Sequence, residues 1–293
     1  MIAAGAEQRG GYQMNFGIRM LGIALSLTAG PIAARADAAP TFKKVMIVIF
    51  ENTNYRDAIA QPGFADFAHK GANLTQFVAE THPSQGNYVA LTSGDLQGVT
   101  GDGNIDLDVQ HIGDLIESRG KSWKAYLESY PGNCFLGARS GTYARKHNPF
   151  ASYHDVQTNP QRCARMVDGS ALVADIRSGS LPDFSIYIPD MNNDGHDTGV
   201  AFASQWFSRT FGPLMQDRHF MQDMLLVATF DESGRDGGNQ IYTVLYGDSV
   251  KPASTSAARY DHFSLLRTVE DQLGLGNLGR RDVQATPISG IWQ

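Results

Sequence analysis

The sequence predicts an α/β fold with a largely parallel central sheet. Three observations carry that expectation. Apolar β-branched runs alternate with amphipathic stretches from residue 44 nearly to the C-terminus. The strongest runs, KVMIVIF at 44–50 and DMLLVATFDE at 223–232, are continuously apolar, as strands covered on both faces must be. Residues suited to chemistry recur just beyond the ends of these runs.

The elements follow in order. After KVMIVIF, PGFADFAHKG reads as a helix closed by Gly71, and ANLTQFVAE as the next strand. PSQGNYVALTSG begins a helix with Ser84 near its N-terminus. HIGDLIESRG is amphipathic and ends at Gly120; KSWKAYLES follows as a strand. GSALVADIRSG is a helix and DFSIYIPD a strand. AFASQWFSRTFGPLMQ is helical up to Gly212-Pro213. NQIYTVLYG alternates and belongs beside DMLLVATFDE, and DHFSLLRTVEDQLGLG is a final amphipathic helix. The stretches 95–110 and 131–165 are long and irregular, a length usually reserved for function.

The chain has 293 residues, 42% of them hydrophobic and 18% charged, enough for a substantial core. Residues 1–36 read as a secretory signal and 40–293 as a single domain. LGIALSLTA at 21–29 follows Arg19 and precedes ARADA, with cleavage after Ala36 or Ala38. The run is short for a bilayer span, so no stable membrane anchor is expected after cleavage, and the chain is placed in the periplasm or outside the cell. The net charge of −6 becomes −8 without Arg9, Arg19, Arg35 and Glu7, which excludes a broad attraction to nucleic acid. Cys134 and Cys163 read as one disulfide in an oxidising compartment. Between them and beyond, Arg139, Arg145, Lys146, Arg162 and Arg165 form a basic, cap-like insertion at about 131–165. It reads either as an attractor for an anionic substrate or as a solvated loop.

Ligands gather at the C-terminal ends of parallel strands. There the sequence delivers Glu51 and Asn52, then Thr81, His82 and Ser84, then Asp190, Asp194 and His196, then Asp231 and Glu232, then Asp261 and His262. Crowded carboxylates repel and call for a cation. Oxygen ligands suit calcium, magnesium or manganese, and histidine admits zinc or iron. A metal would activate the Ser84 hydroxyl toward phosphorus, with the helix N-terminus offering amides to an anion. Ser84 alone could equally cap its helix. DMNNDGHD fails as an EF-hand because its twelfth position is Ala201, and GDGNIDLD fails at Leu107. No G-x-S-x-G motif is present, which excludes the usual serine-esterase elbow.

The motifs ENTNY, THPSQGNYVALTSG, KHNPF, PDMNNDGHD, TFDES and YDHFSLLRTVEDQLGL, in that order, resemble the phosphoesterase family of secreted acid phosphatases and phospholipase C-like enzymes. That family lies in the alkaline phosphatase superfamily, and the resemblance runs from about residue 42 to 280. It implies a three-layer α/β/α sandwich and a metal-dependent serine nucleophile, here Ser84. It implies that Glu51, Asn52, Ser84, Asp231 and Glu232 hold one or two divalent ions. It implies that Asn87 contacts phosphate and that His147, His196 and His262 belong to the active site. Of these, His196 and His262 are taken as candidate acid–base groups, and His82, Asn87, His147 and Asp194 as substrate contacts. The short C-terminal region favours the acid-phosphatase branch. The expected activity is hydrolysis of phosphomonoesters through a phosphoserine. The alternatives are a phospholipase C or other phosphodiesterase, and a non-catalytic metal- or anion-binding module.

Overall fold

The computed structural model describes residues 8–15, 17 and 39–293. The apolar run 21–29 and both cleavage positions lie outside the described residues. Asp37–Gln293 forms one compact unit. No helix among the described residues is long and apolar enough to cross a membrane.

The strands are β1 (Lys44–Phe50), β2 (Ala72–Phe77), β3 (Trp123–Leu127), β4 (Arg139–Ser140), β5 (Tyr143–Ala144), β6 (Met166–Asp168), β7 (Phe184–Ile188), β8 (Met224–Phe230), β9 (Thr243–Tyr246) and β10 (Ser254–Tyr260). Eight of them form one sheet in the order β10-β2-β9-β8-β1-β7-β3-β6, and β4 pairs with β5 apart from it. Within the large sheet every pairing is parallel except the two made by β9, with β8 and with β2. Seven strands therefore end on the same edge, which is why the predicted polar residues meet there.

Every residue of β7 and β8 is buried, and all of β1 beyond Lys44. Helices therefore cover both faces of the sheet centre. The helices Pro62–Lys70 and Val200–Leu214 bring Phe64, Trp206 and Phe207 against Phe50 of β1. The helix Val200–Leu214 runs one residue past Pro213; a proline in the last turn removes little from a ladder that is already ending. Sequence patterning missed β10 because this edge strand is mostly exposed and polar, STSAARY. The stretch 131–165 holds β4, β5 and several single-turn helices. Its short elements leave no period to read.

Cys134 and Cys163 are joined, with their Cα atoms 5.6 Å apart. The basic residues of this segment are largely committed to the protein itself. The buried Arg145 guanidinium donates to the carbonyls of Leu136, Ile105 and Ala151. Arg162 pairs with Asp114, Asp155 and Glu117, and Arg165 with Glu117. Arg139 reaches Asp197.

Candidate active site

The register of β1 on β8 pairs Phe50 with Phe230, so the next residues, Glu51 and Asp231, emerge side by side. Asn52 takes a positive φ of 47°, a conformation that asparagine tolerates better than most residues. There its amide N–H donates to Asp231 Oδ1 at 3.1 Å and its side chain to Glu51 Oε2 at 3.1 Å. The helix Gln85–Ser93 begins immediately after Ser84, but the Ser84 hydroxyl makes no capping bond to it. The hydroxyl instead donates to Glu51 Oε2 at 3.0 Å. One turn on, and so on the same helix face, Tyr88 donates to Glu51 Oε1 at 2.7 Å. The cap reading of Ser84 fails on this geometry.

His147 and Asp194 close the ring from the other side. His147 Nε2 lies 3.0 Å from Glu51 Oε1 without hydrogen-bond alignment, and its Nδ1 lies 3.4 Å from Asp194 Oδ2. The Asp194 carbonyl accepts the Glu51 amide, and its Oδ1 accepts the His196 amide at 2.8 Å. Burial, then Asp231 and Asp194, raise the Glu51 pKa well above the carboxylate range. Burial also raises Asp231, and pushes Asp194 up to about 8. Burial, then Asp231 and Asp102, push Glu232 up to about 8. Burial, reinforced by Lys146, lowers His147 to about 3, so its imidazole is neutral.

Asp231 Oδ2 and Asp194 Oδ2 are buried with no hydrogen-bond partner. Three carboxylates, Glu51, Asp194 and Asp231, gathered around a neutral imidazole, two of them with an orphaned oxygen, are the donor set that a hard divalent cation satisfies. The residues predicted as ligands therefore fit one. Glu51, Asn52, Ser84 and Asp231 are tied to one another directly, and Glu232 follows Asp231 in the chain.

A cleft of about 650 Å³ opens over this cluster, lined by Asn52, His82, Pro83, Ser84, Asp102, Lys146, His196, Glu232 and the turn Ser233–Arg235. His82 reaches Glu232 Oε2 at 3.0 Å, and His196 Nδ1 pairs with Asp197 at 2.8 Å. Two predicted residues have most of their polar atoms engaged by the protein itself. Asn87 reaches the site only through its amide nitrogen, 3.4 Å from Glu232 Oε2. Its Oδ1 accepts the amides of Glu80 and Thr81, and its Nδ2 donates to the Thr81 carbonyl, so its amide braces the loop ahead of Ser84. His262 is likewise buried, with Nδ1 2.5 Å from Glu80 Oε2 and Nε2 3.2 Å from the Phe230 carbonyl. Burial works against its charge, but Glu80 outweighs it and its pKa stands above the histidine range. With both nitrogens engaged, this ring clamps β8 to the Glu80 loop and has none to offer a substrate. The helix N-terminus is also less open than expected, since the Gln85 amide donates to Asp102 Oδ1.

Asp102, Arg235 and Tyr88 line or brace the site but were not singled out from the sequence, whereas Lys146 was named only as one of the basic residues of the insertion. Of the three, Tyr88 had a usable signal, its spacing of four from Ser84. A larger cavity, lined by Met215, Arg218, His219, Met221, Tyr246 and neighbours, lies by the start of β8, at the opposite edge from Ser84. The His111, Asp114 and Asp155 cluster has metal-like spacing, but His111 Nδ1 accepts the Gly113 amide, so Nε2 carries the proton. The Arg162 guanidinium already supplies its positive charge.

A parallel sheet with carboxylates and a helix-borne serine at its C-terminal edge defines an alkaline phosphatase-like α/β protein. The fold matches a protein in the alkaline phosphatase superfamily from Vibrio parahaemolyticus with a TM-score of 0.56, at 13% identity, covering 85% of this chain and 71% of that one. The chain belongs to the phosphoesterase family, which it matches over residues 64–276. It is 34% identical to a probable acid phosphatase of Kluyveromyces lactis over 84% of this chain and 62% of the relative, and so spans less than two thirds of that protein. It is 32% identical to a phosphatidylinositol-3-phosphatase of Mycobacterium tuberculosis, over 89% of this chain and 86% of that one.

Proposed function

We propose that this chain is an exported, metal-dependent phosphoric monoester hydrolase with Ser84 as its nucleophile. The observation that carries the reading is the Ser84 hydroxyl. It is free of any capping role, donates to Glu51 at 3.0 Å, and stands at the mouth of a ring of carboxylates whose protons are held by burial. A divalent cation bound by Glu51, Asn52, Ser84, Asp231 and Glu232 would neutralise that ring and favour the alkoxide form of the hydroxyl. The chain's own groups do the rest. With the ring neutralised in that way, Glu51 would be ionised and could take the Ser84 proton along their hydrogen bond as Oγ forms a bond to phosphorus and the leaving oxygen departs in line. His196, oriented through Nδ1 by Asp197, has Nε2 left to protonate that oxygen. Water then cleaves the phosphoserine and regenerates the hydroxyl.

Both relatives named above are called phosphatases, which supports the monoester reading. The Cys134–Cys163 disulfide and the leader-like residues 21–38 support export to the periplasm or beyond. The test assays metal-stripped protein on p-nitrophenyl phosphate and bis-p-nitrophenyl phosphate, adding back calcium, magnesium, manganese, zinc and iron singly. Turnover of the monoester is expected to return with one metal and to fall by about a thousandfold or more in Ser84→Ala. Full activity in Ser84→Ala would sink the nucleophile assignment. Faster diester turnover would make the chain a phosphodiesterase, and cation binding without turnover of either ester a binding module.

A further inference from the structure

We propose that Lys146 selects a dianionic phosphoryl group and that Asp102 is the positioning residue that holds it there. This rests on the phosphate-ester reading above and adds to it the group that recognises the ester's charge.

The cleft has two permanently charged cations in its lining, Lys146 and Arg235. Arg235 sits on an exposed turn. Lys146 is rooted between two anchored neighbours. Arg145 is buried and donates to three backbone carbonyls and Asp106, and His147 is buried against Glu51. The Lys146 ammonium meets Asp102 Oδ2 at 2.8 Å. The other oxygen of the same carboxylate accepts the amide of Gln85, the residue after Ser84, at 3.1 Å. The next residue, Gly103, donates its amide to Gln85 Oε1 at 2.8 Å. The ammonium is thus tied through one carboxylate to the backbone that carries the nucleophile. An ammonium has three N–H donors, so one spent on Asp102 leaves two for phosphoryl oxygens.

The carboxylates beside Lys146 offer a phosphate nothing of their own and need a cation to offset them. A monoester brings two negative charges and a diester one. A fixed cation facing the transferred group therefore favours the monoester, and the gain is lost if the ammonium swings back into water. Asp102 prevents that swing. It touches neither the reacting atoms nor Ser84 Oγ; it acts through Lys146 and Gln85.

The experiment compares Lys146→Met, Lys146→Arg, Asp102→Asn and Ser84→Ala with the wild-type chain, divalent cation present, on an aryl phosphate monoester and a methyl aryl phosphate diester. Lys146→Met is expected to lower kcat/KM for the monoester by about thirtyfold and for the diester by about threefold, the loss of one charge-assisted contact. Lys146→Arg should keep the monoester-to-diester ratio within about threefold of wild type. Asp102→Asn should raise the monoester KM by about tenfold, more than it lowers kcat, and add little in a Lys146→Met background. Equal losses on both esters in Lys146→Met, or an Asp102→Asn effect that persists in full without Lys146, would overturn the inference. Ser84→Ala separates the two claims: if it is inactive while Lys146→Met is indifferent to ester class, only this inference fails. If the wild-type chain turns over neither ester, calorimetry with inorganic phosphate decides. A tenfold or greater loss of affinity in Lys146→Met supports the inference, and an unchanged affinity overturns it.

Discussion

Replacing Glu232 by Gln should make the metal-free protein more stable at alkaline pH and less responsive to metal. The Glu232 carboxyl holds its proton to about pH 8 in the fold, through burial and the charges of Asp231 and Asp102. Unfolded, it ionises near the ordinary 4.5. The wild-type chain therefore has this group's full contribution below about pH 4.5 and loses it as the pH rises toward 8. The interval is about 3.5 pH units at about 1.4 kcal/mol each, a ceiling of about 5 kcal/mol. The side chain lines a cleft open to solvent, so about 2 kcal/mol is the expected penalty at pH 8. Glutamine carries no such charge and can still accept from His82 and Asn87, the present partners of Oε2. Urea unfolding in chelator should show Glu232→Gln about equal to wild type at pH 4.5 and about 2 kcal/mol more stable at pH 8. With divalent cation at a hundred times its dissociation constant, the wild-type chain gains about 2.7 kcal/mol and overtakes the variant. A variant no more stable than wild type at pH 8 in chelator would refute the argument that these carboxylates are gathered at a cost met by a cation.

Two further outcomes test the assignments made outside the cleft. Replacing Cys134 and Cys163 by Ser opens a link across 29 residues and should lower unfolding free energy by about 3.5 kcal/mol in the chain-entropy account, measured by chemical denaturation. His262→Ala removes the imidazole from the buried Glu80 carboxylate, which keeps only the backbone amide of residue 262, and should cost about 3 kcal/mol in the same measurement. The pH profile of turnover should keep its shape in that variant, because the ring clamps rather than donates; a lost or shifted limb would restore His262 to the chemistry.

The ends of parallel strands were the most legible part of this sequence. A continuous apolar run announces a doubly covered strand, and parallel strands share an edge, so Glu51, Ser84, Asp194, His196 and Asp231 could be gathered without coordinates. Orientation could not be read in the same way. Asn87 and His262 lie in the right segments, but Asn87 turns chiefly to the backbone of Glu80 and Thr81, with Glu232 at 3.4 Å, and His262 to Glu80 and the Phe230 carbonyl. No periodicity records which way a loop residue turns. The Asp102–Lys146 pair joins two irregular segments far apart in sequence, where there is no pattern to extrapolate. The strand β10 was invisible for a different reason: an edge strand has no need of the apolar alternation by which strands are found.

Like charges pressed together should drift apart, and the structure shows why these do not. Glu51 and Asp231 are the first residues beyond Phe50 and Phe230, whose ring centroids lie 5.4 Å apart. Phe64 packs on both, at 5.0 Å and 5.5 Å, and Phe207 and Trp206 close on Phe50 from the helix Val200–Leu214. Interiors packed at this density deform reluctantly, and each large aromatic contributes several kcal/mol if truncated, about 3–5 kcal/mol for Phe→Ala. Separating the carboxylates would require breaking the pairing of β1 with β8 just below them or opening this aromatic cluster. Either costs several kcal/mol. The hydrophobic core therefore does more than stabilise the chain: it fixes the spacing of the carboxylates above it, so that the proposed cation would meet its ligands already in place.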